Sequence, residues 1–185
     1  MSRLDPRDPL VLDTRTLARR PGQLRSFERV APAPAGLGLD VVKVPKGTDL
    51  TLEVRLESVV EGVLLSGSCR TRATAECVRC LDPIMFDLDL SVQELYAYPD
   101  AAAAAAEEIE RLEDDLIDLK PVLHDAVVLA LPLQPLCQDD CPGLCATCGA
   151  RLADDPKHHH DEVDPRWASL QKLNLTPRAS DEKKG

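Results

Sequence analysis

The cysteines constrain this chain more than any other residues do. Cys77 and Cys80 form one C-x2-C pair, and Cys145 and Cys148 form a second, with Gly149 directly after it. Cys137 and Cys141 lie just upstream of the second pair, so four of the seven cysteines fall within residues 137–148. A C-x2-C turn presents two thiolates to one metal with little strain, and zinc takes four such ligands in a tetrahedron at about 2.3 Å. Any fold in which distant pairs share an ion must therefore carry the middle of the chain to a segment far downstream. Residues 1–12 lack a long apolar run, and no stretch approaches the ~18 apolar residues that cross a bilayer. The expected compartment is the cytoplasm, with no membrane partner. There, clustered cysteines are metal ligands more often than disulfides. A redox C-x2-C pair and unmetallated thiols are the alternatives.

Leaving Cys69 aside, six cysteines and two of His158, His159 and His160 make eight ligands, enough for two structural zinc ions. The preferred partition places Cys77, Cys80, Cys137 and Cys141 on one ion and Cys145, Cys148 and two histidines on the other. The rival partition joins Cys77 and Cys80 to Cys145 and Cys148 in a single site. Cys69 falls on the inward face of a strand and reads as a small core residue.

Around these pairs the hydrophobic pattern has period two from residue 39 to 97. Leu50, Leu52, Val54 and Leu56 share one face, as do Cys69, Thr71, Ala73, Ala75 and Cys77, and then Ile84, Phe86, Leu88, Leu90 and Val92. Arg70 and Arg72 take the opposite face. Such strands joined by short turns predict an antiparallel sheet or small barrel, wet on one side. A short strand and helix are expected over 9–21, and a loop over 31–38. A helix from Lys120 or Pro121 to Leu131 should pack on the sheet through Leu123, Val127, Val128 and Leu131. A short helix is expected at 164–175, with Trp167 as a docking anchor. The expected class is α+β, a sheet or small barrel with a C-terminal helix and a small Cys-rich zinc-binding appendage. The expected organisation is a β-rich domain over 1–98, an acidic Ala-rich linker over 99–116, a helix and zinc-binding region over 117–175 packing on the β domain, and a disordered tail over 176–185.

Net charge is −10, an unpromising balance for neutralising phosphates. It is uneven: residues 1–30 hold seven arginines against four acids, and residues 98–118 hold eight acids against one arginine. No Gly-rich phosphate loop, G-x-S-x-G, H-E-x-x-H or paired catalytic constellation is present, and the ligands suffice to close both metal sites, where a catalytic zinc keeps an open position. A zinc-stabilised binding or assembly protein, without a small-molecule substrate, is expected rather than an enzyme.

The combination of "CVRCLDPI", "IDLKPVLHDAVVLALPLQPLC", "CPGLCATCGARL" and "DPRWASLQKL" resembles the YceD family, the large ribosomal RNA subunit accumulation proteins, over roughly residues 10–175. The resemblance implies a bacterial factor in large-subunit biogenesis that supports 23S rRNA accumulation. Many relatives carry a "GLCxxCGxNLN" pattern with a C-x-C pair; here "ARLADDPKHHH" stands in its place, and His158 and His160 can replace those thiolates as zinc ligands. Two modes of action follow. The protein binds pre-ribosomal RNA or the nascent particle through Arg70, Arg72, Arg79, Arg19 and Arg20, with Arg25 and Arg29 adding to the patch. Alternatively it is an acidic escort for a basic large-subunit ribosomal protein, with residues 100–118 supplying the charge. An rRNA-processing enzyme is the least favoured reading.

Overall fold

The computed structural model describes residues 4–17, 19–101 and 110–160. They form two compact units, Met1–Cys141 and Pro142–Gly185. In the first unit β1 (Val11–Asp13) is followed by a single 3-10 turn (Arg15–Leu17), then β2 (Leu24–Pro32), β3 (Val42–Lys43), β4 (Asp49–Ser58), β5 (Gly62–Glu76), β6 (Pro83–Ala97), β7 (Leu116–Asp118) and α1 (Leu119–Ala130). All strand pairs are antiparallel. β5 is the centre of the main sheet, with β4 and then β2 on one side, β3 pairing its far end, and β6 on the other side. β2 and β6 are not paired with each other among the described residues, so the arrangement is an open sheet rather than a closed barrel.

The alternation seen in the sequence sets this geometry. Leu50, Leu52, Val54 and Leu56 of β4 are buried, as are Val63, Leu65, Cys69, Thr71, Ala73 and Ala75 of β5 and Leu88, Leu90 and Val92 of β6. The register stacks them: Leu52 faces Cys69, which faces Leu90. Leu119, Leu123 and Val127 of α1 join the same core, with Leu10, Leu12, Leu17 and Ile117. Burying each such aliphatic side chain contributes about 1.5–3 kcal/mol. Thr71 keeps its hydroxyl in this setting by donating to the Asp49 carbonyl at 3.0 Å.

The helix starts one residue earlier than the pattern suggested. Asp118 caps it, its carboxylate accepting from the Lys120 N–H at 3.0 Å, and Pro121 sits in the first turn, where its missing N–H is no loss. β1 clasps β7 just before this cap, so the N-terminal segment holds the helix entrance: the Leu119 N–H donates to the Leu10 carbonyl at 2.9 Å. The helix expected after β1 is only the 3-10 turn. The stretch read as linker is packed near its described C-terminal end: Leu112 and Leu116 are buried, and the Leu112 N–H donates to the Ala97 carbonyl at 3.0 Å. Its alanine run, the 164–175 helix with Trp167 and the 176–185 tail lie outside the described residues. No described helix is long and apolar enough to cross a membrane.

Candidate metal centres

The fifteen-pair hairpin of β5 and β6 closes at Glu76 and Pro83, and its six-residue turn, residues 77–82, is the first C-x2-C pair. The turn is tight. The Leu81 N–H donates to the Cys77 carbonyl at 2.9 Å, and the Cys77 N–H donates to the Asp82 carbonyl at 2.8 Å. Closing it puts Leu81 in the left-handed region, at φ 63°. In the second unit the same turn recurs: Gly149 N–H to Cys145 carbonyl at 2.8 Å, Cys145 N–H to Ala150 carbonyl at 2.8 Å, and Gly149 at φ 72°. These are two copies of one knuckle, each presenting two sulfurs on the same side of a loop.

In the first unit the chain leaving α1 returns to the hairpin tip. The Val78 N–H donates to the Pro135 carbonyl at 3.0 Å, and Arg79 Nη1 donates to the Cys141 carbonyl at 2.9 Å. Cys77, Cys80, Cys137 and Cys141 thereby converge. The Sγ atoms of Cys77 and Cys141 are 3.8 Å apart, and those of Cys80 and Cys137 are 3.6 Å apart. Four Zn–S bonds of about 2.3 Å at tetrahedral angles place sulfurs about 3.8 Å apart, so the residues fit a tetrahedral thiophilic ion. Cys77, Cys80 and Cys141 are buried and Cys137 is exposed, with Ile84 and Leu136 packed against the cluster.

In the second unit Cys145, Cys148, His158 and His160 gather their ligand atoms within 4.8 Å of one another. Cys148 Sγ lies 3.2 Å from His158 Nε2 and 3.3 Å from His160 Nε2, and the two Nε2 atoms are 3.0 Å apart. Tetrahedral zinc with sulfur and imidazole ligands sets these edges at about 3.4–3.6 Å, a few tenths of an ångström wider. The turn at Asp155, where the His158 N–H donates to the Asp155 carbonyl at 3.0 Å, brings the histidines back to the knuckle. His159 turns away, its Nδ1 against the Lys157 carbonyl at 3.0 Å. This cluster is more open than the first: Cys148 and His160 are exposed, and Cys145 and His158 half-buried.

The thiols in each cluster are unequal. Cys77 is drawn down to about 6, chiefly by the Cys80 N–H and further by those of Cys137 and Arg79. Cys145 is drawn down to about 6 by the N–H groups of Cys148 and Thr147. The Asp82 N–H favours the Cys80 thiolate, yet burial and the neighbouring thiols push Cys80 up to about 12. Cys137 is raised, first by the Cys141 thiol and then by burial. Each knuckle thus offers one ready thiolate at neutral pH, and the remaining thiols lose their protons as a metal binds. Cys69 stands apart in the core, its thiol pushed up to about 11 by burial. Both clusters can hold a metal ion.

The arginines expected to meet RNA fall in three places. Arg70 pairs with Glu53, and Arg72 Nε lies 3.0 Å from Asp87. Arg19 stacks over Tyr98 at 4.8 Å and reaches Asp100 at 3.2 Å and Asp115 at 3.4 Å. Arg20, next to it, is exposed. Arg79 is bound to the first metal cluster. Val63 of β5 lines the hollow beside Arg19, and Arg70 lies seven residues along that strand, about 23 Å away at 3.3 Å per residue. Cys77 lies a further seven residues on. A screening length of about 8 Å at physiological salt separates such sites electrostatically. On the outer face of β4, β5 and β6, six carboxylates (Asp49, Glu53, Glu57, Glu76, Asp87, Asp89) meet three guanidinium groups (Arg55, Arg70, Arg72). The residues of both clusters are the ones the sequence singled out as candidate ligands. Sequence reasoning missed Leu81, Arg79 and the Pro135 carbonyl as the parts that shape the first knuckle, because none carries a turn or ligand signature.

A family profile described as "Large ribosomal RNA subunit accumulation protein YceD" matches residues 65–174. An uncharacterized protein of Mycobacterium tuberculosis is 41% identical over 168 residues, 89% of this chain and 81% of that protein. An uncharacterized protein of Mycobacterium leprae is 39% identical over 165 residues, 88% and 76% of the two chains. The uncharacterized protein YlbN of Bacillus subtilis is 26% identical over 101 residues, 52% and 58%. No solved structure matches the chain.

Proposed function

The chain belongs to the YceD family, the large ribosomal RNA subunit accumulation proteins, and from that premise we propose that it supports 23S rRNA accumulation as a non-catalytic, zinc-stabilised binding protein. One observation carries the non-catalytic part: the four protein sulfurs of the first site gather within 4.8 Å of one another, two pairs of them 3.8 and 3.6 Å apart, enough protein ligands to fill a tetrahedral zinc, whereas a catalytic zinc keeps one position for water or substrate. When bound, zinc supplies cross-linking between the β5–β6 turn and the segment after α1. Cys77 and Cys80 hold the turn, Cys137 and Cys141 hold the return, and Arg79 fixes the Cys141 backbone.

The partner is a basic protein of the large subunit rather than bare RNA. The outer sheet face carries more carboxylate than guanidinium, and Arg70, Arg72 and Arg19 already have carboxylate partners. A phosphate would have to displace those carboxylates, whereas Lys- and Arg-rich surfaces are drawn to the excess of acid. The test is deletion of the gene, with the ratio of 23S to 16S rRNA and the proteins co-purifying with tagged chain both measured. The proposal expects a fall in the ratio and basic large-subunit proteins that stay bound after ribonuclease treatment. A normal ratio contradicts the role. Association that ribonuclease abolishes, and that charge reversal of Arg70 and Arg72 weakens, contradicts the protein partner and restores the RNA reading.

A further inference from the structure

Five of the nine exposed large aliphatic side chains among the described residues of the first unit lie together. Leu39, Val41, Val78, Leu81 and Leu133 line one groove, Leu133 being 99% and Val41 73% exposed. Val128 and Leu131 line it too, from the end of α1 and the residue after it, and the groove encloses about 290 Å³. Single exposed aliphatics are ordinary, but a clustered apolar hollow on a surface marks an interaction site. The groove is built from the metal loop itself. Val78 and Leu81 belong to the Cys77–Asp82 turn, and Leu133 and Pro135 precede Cys137, so both walls end in ligands of one cluster.

A second observation points the same way. Leu81 holds a left-handed backbone that costs a non-glycine residue about 1–2 kcal/mol. The twin knuckle places Gly149 there and avoids the cost. Leu81 is 59% exposed, and its side chain lines the groove. Unrelieved backbone strain of this kind collects at functional positions.

The rim chooses the occupant. Glu76 lines the groove, Asp40 lies between Leu39 and Val41, and Asp139 lines the adjoining hollow, which shares Pro132 and Pro135. Against these three carboxylates stand Lys43 on β3 and the Arg79 guanidinium, which is held at the Cys141 carbonyl, so the rim stays net acidic. An acidic rim repels phosphate backbones. It also repels a second copy of this chain, whose net charge is −10. We propose that this groove docks a short segment of a partner protein in which an aliphatic or aromatic anchor is flanked by Lys and Arg. The inference rests on the protein-partner reading above and names the surface that serves it.

The test is photo-crosslinking in cells from the full-length chain, with p-benzoylphenylalanine placed at Leu133 and, as control, at Val30, which is 61% exposed on β2. Adducts at position 133 should map to a peptide with an apolar residue among several Lys or Arg. A Val41→Asp substitution should cut their yield about tenfold, as loss of one anchored contact of ~1.4 kcal/mol does. Val41 is exposed, so the variant should keep the melting temperature of the wild type; circular dichroism checks that. Adducts to RNA, to a second copy, or to an acidic peptide would overturn the proposal, as would a yield at 133 no higher than at 30 or untouched by Val41→Asp. A Val41→Asp chain that still co-purifies with basic large-subunit proteins would remove the groove and leave the protein-partner reading standing. Absence of such proteins from the wild type would remove the reading itself.

Discussion

Leu81 and Gly149 hold the same place in two copies of one turn, and the difference between them is informative. Gly149 could be expected from its position after Cys148, since glycine reaches positive φ without cost. Leu81 carries no such signal; its conformation is imposed by the hydrogen bonds that close the hairpin turn. Replacing Leu81 with glycine relieves the left-handed strain while increasing the freedom of the unfolded chain, and the two effects are of similar size. Leu81→Gly should therefore leave stability unchanged or raise it by up to about 1 kcal/mol. Urea denaturation of the zinc-bound protein measures this, and a loss of that size would mean that the Leu81 side chain holds the fold together. The cluster residues were legible because thiols and imidazoles at fixed short spacing suit a shared metal ion. The backbone groups that aim them were not, because any residue can supply a carbonyl or an N–H.

At the scale of elements, the strands of the sheet were legible because one buried face imposes strict alternation, and that alternation also fixes the register. The helix was legible for a related reason: Leu119, Leu123 and Val127 recur at helical spacing after a capping aspartate. Leu112 and Leu116 were not read as packed, because with Ile109 they give only a thin apolar stripe among acids; they are buried through long-range contacts of the 110–116 segment. The helix entrance is also tied down by charge. Lys120 Nζ lies 2.5 Å from Asp8, and the same carboxylate accepts from the Leu10 N–H at 2.9 Å. The Lys120 ammonium, the Leu10 N–H and the positive field of Lys120 together hold the Asp8 carboxyl below its usual range. A carboxylate with a depressed folded-state pKa stabilises fully above its unfolded value of about 3.9, and this contribution is lost as pH falls through the lower folded value. Asp8→Asn should thus cost about 0.5–1 kcal/mol at pH 7, the size of a half-exposed ion pair. The difference from wild type should shrink to nothing in acid below the folded pKa. A difference that persists there would mean that the carboxylate acts through shape rather than charge.

For the whole molecule, the cysteines announce a metal but leave its partition open, because pairing depends on which segments the folded backbone brings together. The return of the chain after α1 to the β5–β6 turn decides it, placing Cys137 and Cys141 with Cys77 and Cys80. The 158–160 segment does the same for the other pair, presenting His158 and His160 to Cys148. Each four-residue cluster lies within its own compact unit, and under the proposed function a metal held there would be part of the scaffold, with binding left to the surfaces around it. The most direct test is the zinc content of the intact chain by native mass spectrometry, for the wild type, Cys137→Ser and Cys148→Ser. This account predicts two zinc ions per wild-type chain and one in each variant, the two variants losing different ions. A single zinc in the wild type, kept by Cys137→Ser and lost by Cys148→Ser, would contradict it and place Cys77, Cys80, Cys145 and Cys148 on one ion.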